Sequence, residues 1–362
     1  VVGTGGAINT SGASMVAWSW DMGADTPTGF GCVAYEASGS ALNITGMGFK
    51  PDLIWIKNRD TTDWHQLTDS VRGVDKQIFP NATDAGDNAT NKITSFDPDG
   101  FSLGSHESVN TNAEEYIAWG WDMGGTSVAN TTGDINTTVM ANPTYGQSIV
   151  AWTGTGSGSS PTVGHGLSSA PELVIVKHTD AVGAWPVQHA YDTTKYFQFQ
   201  DVDAASTGAT VFDNTAPTNS VFTINATNAV TNQSGGDYIA YCFHSVSGYS
   251  KIGTYTGNGS ATGPSVTTGF RPAFLLIKNT ASTHGWQIYD STRNPINPVN
   301  NMIVSDTNAV ENSNSSDYKV DFTSTGFQVK TADVWLNENS NTMIYMAFAG
   351  GMDSISDYNT TG

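Results

Sequence analysis

The sequence predicts an all-β protein made of tandem antiparallel β-sandwich repeats, jelly-roll or lectin-like, of about 100 residues each. One block of sequence recurs three times along the chain of 362 residues. Short runs rich in β-branched and aromatic residues are bounded by Gly, Pro, Asn or Asp, which is the pattern of strands and turns. Charged residues make up only 13% of the chain, so Thr, Ser, Asn and Gly supply most of its polarity, which favours strands over helices.

The repeated block is the strongest of these observations. It contains an apolar run that ends in a lysine, and these lysines, Lys57, Lys177 and Lys278, lie 120 and 101 residues apart. The three copies read GFKPDLIWIK at 48–57, SAPELVIVK at 169–177 and GFRPAFLLIK at 269–278. Because the run is apolar at every position, both faces of this strand should be covered, which places it in the middle of a sheet.

Four further strands keep the same order around each block. The opening strands are CVAY at 32–35, IVAW at 149–152 and IGTY at 252–255. A middle strand carries Trp64, Trp185 and Trp286. The later strands are FSL at 101–103, VFTI at 221–224 and GFQV at 326–329. The closing strands are YIAWGW at 116–121, YIAYCF at 238–243 and MIYMAF at 343–348.

These blocks predict the division of the chain. Each repeat is expected to enclose an apolar interior of its own. The predicted segments are the tail of an incomplete upstream repeat at 1–23, repeat 1 at 28–124, a linker at 125–146, repeat 2 at 147–246, repeat 3 at 249–350 and a polar tail at 351–362. Residues 13–22 suggest the upstream repeat, because they resemble the closing strand of repeat 1.

Charge and apolar content restrict the classes of partner. The formal net charge of −19 repels phosphate backbones and anionic lipids, so we expect neither nucleic-acid binding nor membrane insertion. No apolar run reaches the length of a membrane span. Cys32 and Cys242 are too few for a disulfide framework or a zinc site, and buried thiols are the favoured interpretation.

Several groups of polar residues are candidates for metal or catalytic sites. The turn from Asp97 to Gly100 could offer oxygen ligands to calcium, with Asp87 or Glu107 nearby, but its spacing is not that of a calcium loop, and an ordinary turn is favoured. The histidines share no position between repeats and are predicted to be scattered on the surface and in loops. They are His65, His106, His165, His178, His189, His244 and His284.

The sequence supports a catalytic site even less than it supports a metal site. Cys242 and His244 face the same side of a strand but have no counterpart in the other repeats, so packing is favoured. Glu114 and Glu115 are adjacent on a strand, point to opposite faces, and are expected to mark a solvated turn. We therefore predict no enzymatic activity, no catalytic or metal-binding residues and no cofactor.

The repeated tryptophans allow two interpretations. Trp64, Trp185 and Trp286 could form stacking platforms for sugars. Because a residue that every copy carries is usually one that the fold needs, core packing is favoured for all three. The binding residues stay unassigned, and the loops that differ between the copies are the better place for recognition.

Long blocks of the sequence resemble a repeated domain of structural proteins from marine bacteriophages, especially cyanophages and pelagiphages. The resemblance covers nearly the whole chain, although repeat 2 has Ser169 and Ala170 where the others have Gly-Phe. The blocks include GFKPDLIWIKNR at 48–59, TSFDPDGFSLGS at 94–105, YIAWGWDMGG at 116–125 and YIAYCFHSVSGYSKIGTYTGNGS at 238–260.

The resemblance implies a structural component at the virion surface: a tail fibre, head fibre or decoration element that acts as a scaffold or in host-surface adhesion. The implied partners are other virion proteins, further copies of the chain in a homo-oligomer, and a host-surface glycan. An array of carbohydrate-binding modules in a secreted bacterial protein is the alternative. A glycan depolymerase is disfavoured, because the sequence shows no converging pair of carboxylates.

Overall fold

The described part of the chain is nearly all-β and forms six antiparallel sheets, three large and three small. The computed structural model describes residues 29–350. The predicted upstream fragment at 1–23 and the polar tail at 351–362 lie outside these residues. Within 29–350, no helix has the length and apolar character needed to cross a membrane.

The first part of the chain forms one large sheet and one small sheet. The large sheet has the order β1-β9-β3-β4-β5-β6 and the small sheet β2-β8-β7. The elements are β1 (Phe30–Glu36), β2 (Leu42–Thr45), β3 (Leu53–Asn58), β4 (Gln66–Asp69), β5 (Lys76–Ile78), β6 (Asp87–Asn88), β7 (Ile93–Asp97), β8 (Gly100–Leu103), α1 (Glu107–Asn110) and β9 (Glu115–Trp121).

The second part repeats this plan with two more strands at one edge. Its large sheet has the order β10-β11-β12-β19-β14-β15-β16-β17, and its small sheet pairs β13 with β18. The elements are β10 (Val128–Asn130), β11 (Thr137–Asn142), β12 (Gln147–Thr153), β13 (Thr162–Gly164), β14 (Leu173–His178), β15 (Pro186–His189), β16 (Lys195–Gln198), β17 (Ser206–Thr207), a 3₁₀ turn (Gly208–Thr210), β18 (Val221–Thr223), α2 (Ala229–Asn232) and β19 (Asp237–Phe243).

The third part has the fewest strands. Its large sheet has the order β20-β27-β22-β23-β24, and its small sheet β21-β26-β25. The elements are β20 (Ser250–Thr256), β21 (Ser265–Thr267), β22 (Phe274–Asn279), β23 (Gln287–Asp290), β24 (Ile303–Val304), β25 (Val320–Thr323), β26 (Gly326–Val329), α3 (Val334–Asn337) and β27 (Thr342–Phe348). The opening, closing, central and middle strands are therefore neighbours in the same order in all three large sheets.

The central strands β3, β14 and β22 are buried along their whole length. Alternate side chains point to opposite faces of a strand. Leu53 and Trp55 lie in one apolar cluster, whereas Ile54 and Ile56 lie in another, between the first large sheet and its small sheet. In the other two central strands, alternate side chains likewise lie in two different apolar clusters. The prediction of a mid-sheet strand with two covered faces is confirmed.

The inner faces of the three large sheets meet in one central core. A single cluster contains residues from all three, so the expectation that each repeat encloses its own interior is only half right. The outer face of each large sheet covers a private cluster, and the inner face packs against the other two sheets. Three ring pairs link the sheets two by two: Phe30 with Phe348 at 5.4 Å, Trp55 with Phe199 at 5.7 Å, and Phe197 with Trp286 at 5.8 Å between ring centroids.

The predicted linker at 125–146 is wrong as a structural description. This segment contains β10 and β11, and β11 pairs along its whole length with β12. Val139 and Ile135 lie in the private cluster of the second part. The polar composition of the segment concealed two strands because only alternate positions need to be apolar when one face is exposed.

The repeated lysines are all buried at the end of a central strand. The ammonium group of Lys57 donates to the carbonyl oxygen of Thr61 at 3.1 Å. Lys177 Nζ donates to the carbonyl oxygen of Thr83 in the first part at 3.1 Å, and Lys278 Nζ to that of Val202 in the second part at 2.8 Å. Burial lowers the pKa of each lysine to about 8. Two of these lysines therefore tie a loop of the neighbouring part to their own sheet.

An ion-pair network closes the junction between the third part and the first. Glu311 accepts from Arg59 Nε and from Arg293 Nη1, each at 2.9 Å. Although burial raises the pKa of Glu311, the hydrogen bonds and charges of the two arginines outweigh burial and lower the pKa to about 2. The carboxylate is therefore ionised in the folded protein and bridges two parts of the chain.

Phe348→Ala tests the shared core. Phe348 is buried in the central cluster against rings of both other parts, so we expect the free energy of unfolding to fall by about 3–5 kcal/mol. Urea unfolding followed by tryptophan fluorescence and by circular dichroism should give one coincident transition in both proteins. Val182→Ala, at a side chain that is 74% exposed, should change the free energy by less than about 0.5 kcal/mol. Separate transitions for separate parts would contradict a common core.

Glu311→Gln tests the junction through its pH dependence. The folded-state pKa of Glu311 lies below the ordinary glutamate value of 4.5, so the carboxylate stabilises the fold above pH 4.5, and this contribution is lost as the pH falls towards 2. We expect the variant to be less stable than the parent by about 3 kcal/mol at pH 7. The difference should shrink between pH 4.5 and pH 2 in urea unfolding curves. Exposed Glu36→Gln is the control, and a difference that stays constant with pH would refute the bridge.

Candidate binding surface

The strand register separates Trp64 from the other two repeated tryptophans. In each part, one apolar residue of the middle strand pairs with the same position of the central strand. These three middle-strand residues are therefore equivalent to one another, and so are the residues that lie two positions before them. The paired residues are Leu67 with Trp55, Val187 with Ile175, and Ile288 with Leu276. The equivalent earlier residues are His65, Trp185 and Trp286. Trp64 is offset by one residue.

His65 takes the structural role of the buried indoles. Trp185 Nε1 donates to the carbonyl oxygen of Ala82, and Trp286 Nε1 to that of Gln198, each at 3.0 Å and each in the preceding part. His65 Nδ1 accepts from an indole of its own sheet, so Nε2 carries the proton and donates to the carbonyl oxygen of Val304 at 3.2 Å. Core packing is therefore right for Trp185 and Trp286 and wrong for Trp64.

Trp64 is 39% exposed and lines a surface groove of about 470 Å³. Its ring meets the Phe79 ring nearly edge to face, with centroids 5.1 Å apart. The other lining residues are predominantly polar. They are Thr62, Asp63, Gln66, Asp84, Ala85, Asp87, Lys92 and Ser108. We call this feature the Trp64 groove.

Lys92 forms the floor of the Trp64 groove. Its side chain is 3% exposed, and Nζ donates to Gln66 Oε1 at 2.9 Å and to Asp87 Oδ2 at 2.7 Å. The ammonium group also lies 5.2 Å from the centroid of the Phe79 ring. The second carboxylate oxygen of Asp87, Oδ1, is buried and accepts no hydrogen bond from the described residues. Lys92 thus holds the carboxylate of Asp87 at the edge of the groove.

A larger cleft of about 690 Å³ begins on the other side of Asp87. Its walls are β5 and β6 of the first large sheet and β11 and β12 of the second, with Asp180, Asp237 and Tyr238 at one end. Ala85 and Asp87 line both the cleft and the Trp64 groove, so the two depressions adjoin. We call this feature the intersheet cleft.

The intersheet cleft exists because β10 and β11 widen the second large sheet. The first large sheet begins its order at β1 and the third at β20, so among residues 29–350 only the second sheet carries two strands beyond its opening strand. Thr138 on β11 and Thr153 on β12 line the cleft wall. If apolar side chains stood here, the neighbouring sheet would have to cover them, whereas the hydroxyl groups of these threonines can face water.

Arg72 lines the cleft and is held from two sides. Its Nε donates to Asp69 Oδ2 at 2.6 Å, and the hydroxyl group of Tyr241, from the second large sheet, donates to the same oxygen at 2.8 Å. Burial and the neighbouring Asp69 raise the pKa of Tyr241 well above its ordinary value, so the hydroxyl group stays protonated. This triad fixes the position of the arginine at the junction of two sheets.

The histidines were expected on the surface or in loops, and this is wrong for His178 and His189, which are buried in β14 and β15. His65 and His165 lie between strands, as expected of loop residues, but they are buried too. His165 Nδ1 accepts from the backbone N–H of Leu167 at 3.1 Å, and Nε2 lies 3.1 Å from the carbonyl oxygen of Thr218. Burial lowers the pKa of His189 to about 4. A neutral imidazole can accept and donate at once, which makes it compatible with a β-core.

The other candidate residues make structural contacts and are not arranged for catalysis. Burial raises the pKa of the Cys242 thiol to about 12, so the thiol stays protonated, and His244 Nδ1 lies 3.0 Å from the carbonyl oxygen of Ser245. Glu115 pairs with Arg59, and Glu114 accepts from an asparagine amide; they are not simply solvated.

The carboxylates of the Asp97–Gly100 turn accept hydrogen bonds from the protein itself. Asp99 Oδ1 accepts from the backbone N–H of Gly48 at 2.7 Å, and Asp97 Oδ2 accepts from the hydroxyl group of Ser102 at 2.7 Å. Across the described chain, 29–350, no three His, Cys, Asp or Glu side chains are grouped to hold a metal ion. The chemistry that the Trp64 groove and the intersheet cleft offer is reversible binding of a polar ligand that also has an apolar face.

Comparison with known proteins identifies a family. The family model described as "Domain of unknown function (DUF7483)" matches residues 25–351, and the chain therefore belongs to this family. The match spans all three large sheets. No curated protein and no solved structure matches the chain.

Tyr241→Phe tests the triad that holds Arg72. Removing the hydroxyl group takes a charge-assisted hydrogen bond from Asp69, and we expect the free energy of unfolding to fall by about 1.5–3 kcal/mol. The matched control is Tyr289→Phe, another buried phenol, which donates to the neutral amide oxygen of Gln287 and should cost about 0.5–1.5 kcal/mol. Urea unfolding measures both. An effect of Tyr241→Phe no larger than that of the control would show that the triad adds nothing to the junction.

Proposed function

We propose that this member of the DUF7483 family is a non-catalytic structural component of a bacteriophage virion, with a scaffolding or host-surface adhesion role. The proposal places it at the virion surface, as part of a tail fibre, head fibre or decoration element. The observation that carries the adhesive role is that an exposed tryptophan groove and a large cleft adjoin at the one junction where the common plan of the three sheets is altered. The phage assignment is supported by the sequence resemblance.

The structural role is supported by how the three parts are joined. The common strand order and the three equivalent lysines suggest tandem copies of one β-sandwich module of jelly-roll type, fused into a block by a common core. A block with a continuous apolar centre transmits force without hinges between the modules. Other virion proteins and further copies of the chain are the partners that this role requires.

The adhesive role is supported by the position of the Trp64 groove. Function is usually carried by sites that differ between copies of a module, because the positions that all copies share serve the fold. A host-surface glycan is the partner that we propose for this surface. The acidic composition of the chain disfavours nucleic acids and anionic membranes as alternatives.

A second candidate function is an array of carbohydrate-binding modules in a secreted bacterial protein. The same observation, an exposed indole beside carboxylate and amide groups, favours it. The two candidates differ in where the chain is found: in purified particles or in the medium of uninfected cells.

The location of the chain in assembled particles tests the proposal. Particles purified by density gradient should contain its peptides by mass spectrometry, and an antibody against the chain should label intact particles in negative stain. Antibody blocked with purified chain is the control. Absence of both peptides and label from particles would refute the virion assignment, and recovery from the medium of uninfected cells would favour the second candidate.

A further inference from the structure

We infer that the Trp64 groove binds a neutral hexopyranose residue of a polysaccharide, stacked on the Trp64 indole. The inference deepens the adhesive role proposed above and rests on it.

The fold does not require an indole at position 64. The equivalent residues in the other two parts are Ala184 and Gly285, which directly precede the buried Trp185 and Trp286. A Cβ atom at Gly285 would lie 2.5 Å from Val304 Cγ1, so the third part has no space for any side chain there. The indole at position 64 is therefore an addition in the first part alone, and it is placed where solvent reaches it.

The backbone around Trp64 is nonetheless rigidly placed. The next residue, His65, is buried and donates to the third part, and its backbone N–H donates to Asn81 Oδ1 at 2.9 Å. The backbone N–H groups of Trp185 and Trp286 donate in the same way, to Gln200 and Asp306. Trp64 is thus anchored by the structural residue beside it and by the Phe79 ring beneath it. A rigid exposed ring loses little conformational entropy when a ligand stacks on it.

The groove supplies the two kinds of contact that a sugar ring needs. A pyranose has an apolar face of C–H groups and a rim of hydroxyl groups, so an aromatic face with hydrogen-bonding groups around it is complementary. Asp63, Asp84 and Gln66 line the groove beside the indole. Carboxylates accept hydrogen bonds from hydroxyl groups, so Asp63 and Asp84 can serve as acceptors for the sugar.

The charges in the groove select against acidic sugars. Its lining contains three carboxylates, those of Asp63, Asp84 and Asp87, and one ammonium group. That group, on Lys92, is buried and already paired with Asp87. A uronate or sulfate ester would meet a lining in which carboxylates outnumber ammonium groups, which disfavours binding. A neutral hexose meets acceptors without this repulsion.

The dimensions suit an oligosaccharide and not a monosaccharide alone. The groove, at about 470 Å³, lies in the range of small-ligand sites, and the intersheet cleft continues beyond Asp87. A polysaccharide that leaves the Trp64 groove therefore has a polar path along the junction of the first two sheets. Longer oligosaccharides should bind more tightly than shorter ones of the same sugar.

Titration of the full chain with oligosaccharides tests the inference. The probes are hexasaccharides of glucose, mannose and galactose, the corresponding disaccharides, and hexagalacturonate as the anionic probe. We expect at least one neutral hexasaccharide to bind by isothermal titration calorimetry and to perturb tryptophan fluorescence. Trp64→Ala should weaken that binding at least tenfold, Trp64→Phe should weaken it less, and hexagalacturonate should not bind.

Tyr191→Ala is the matched control, because Tyr191 is 38% exposed, close to Trp64 in exposure, and lies outside both depressions. Its binding should equal that of the parent chain. Thermal unfolding will show whether Trp64→Ala is folded. Asp84→Asn, at an exposed groove residue, is a second variant that should weaken neutral binding and reduce the discrimination against hexagalacturonate.

Three results would overturn the inference: no binding of any neutral probe, binding that Trp64→Ala leaves unchanged, or preferred binding of hexagalacturonate. These results are separable from failure of the proposed function. A chain that is present in particles but ignores neutral glycans refutes the groove and keeps the virion assignment. A chain that binds through Trp64 but is missing from particles refutes the virion assignment and keeps the groove.

Discussion

Burial of apolar side chains on both faces of each central strand is the constraint on which the rest of the structure depends. A strand with two apolar faces is stable only if both are removed from water. Each small sheet covers the outer face of one large sheet, and the inner faces have no cover except one another. The three parts are therefore bound to a common centre, and the surfaces where they meet become the places where function can be built.

The three junctions between the large sheets are built from equivalent strands but carry different polar residues. At two of them an aspartate at the end of a middle strand, Asp69 or Asp290, binds an arginine three residues later and accepts from a ring of the neighbouring part. At the third junction the equivalent residue is His189, whose pKa burial lowers to about 4. A buried polar group needs a specific hydrogen-bond partner, so it discriminates between alternative packings more sharply than apolar surface does. Because the polar residues differ between the junctions, they favour one arrangement of the three parts.

Departure from the common plan locates the candidate binding surface. The two extra strands before β12 widen the sheet that lines the intersheet cleft, and the groove that contains the extra indole of Trp64 adjoins this cleft at Ala85 and Asp87. Met140 of β11 reaches the central cluster, but the surface that the two features form lies outside it: Trp64 is exposed, and the cleft walls carry hydroxyl and amide groups. Side chains that are held rigidly but are not needed for stability are available to bind a ligand.

The sequence by itself determined the all-β class, the strands around each lysine and the double burial of the central strands, because these follow from local alternation and turn residues. It could not determine what covers each face, since alternation identifies faces but not their partners. The sequence did carry a signal that separates Trp64 from Trp185 and Trp286, because Trp64 follows its lysine by seven residues and the other two follow theirs by eight. Only strand pairing shows what this means, since a shift of one residue in register moves a side chain to the other face. The tertiary structure decided both questions, because pairing with Trp55, Ile175 and Leu276 sets which residue enters the core and which meets solvent.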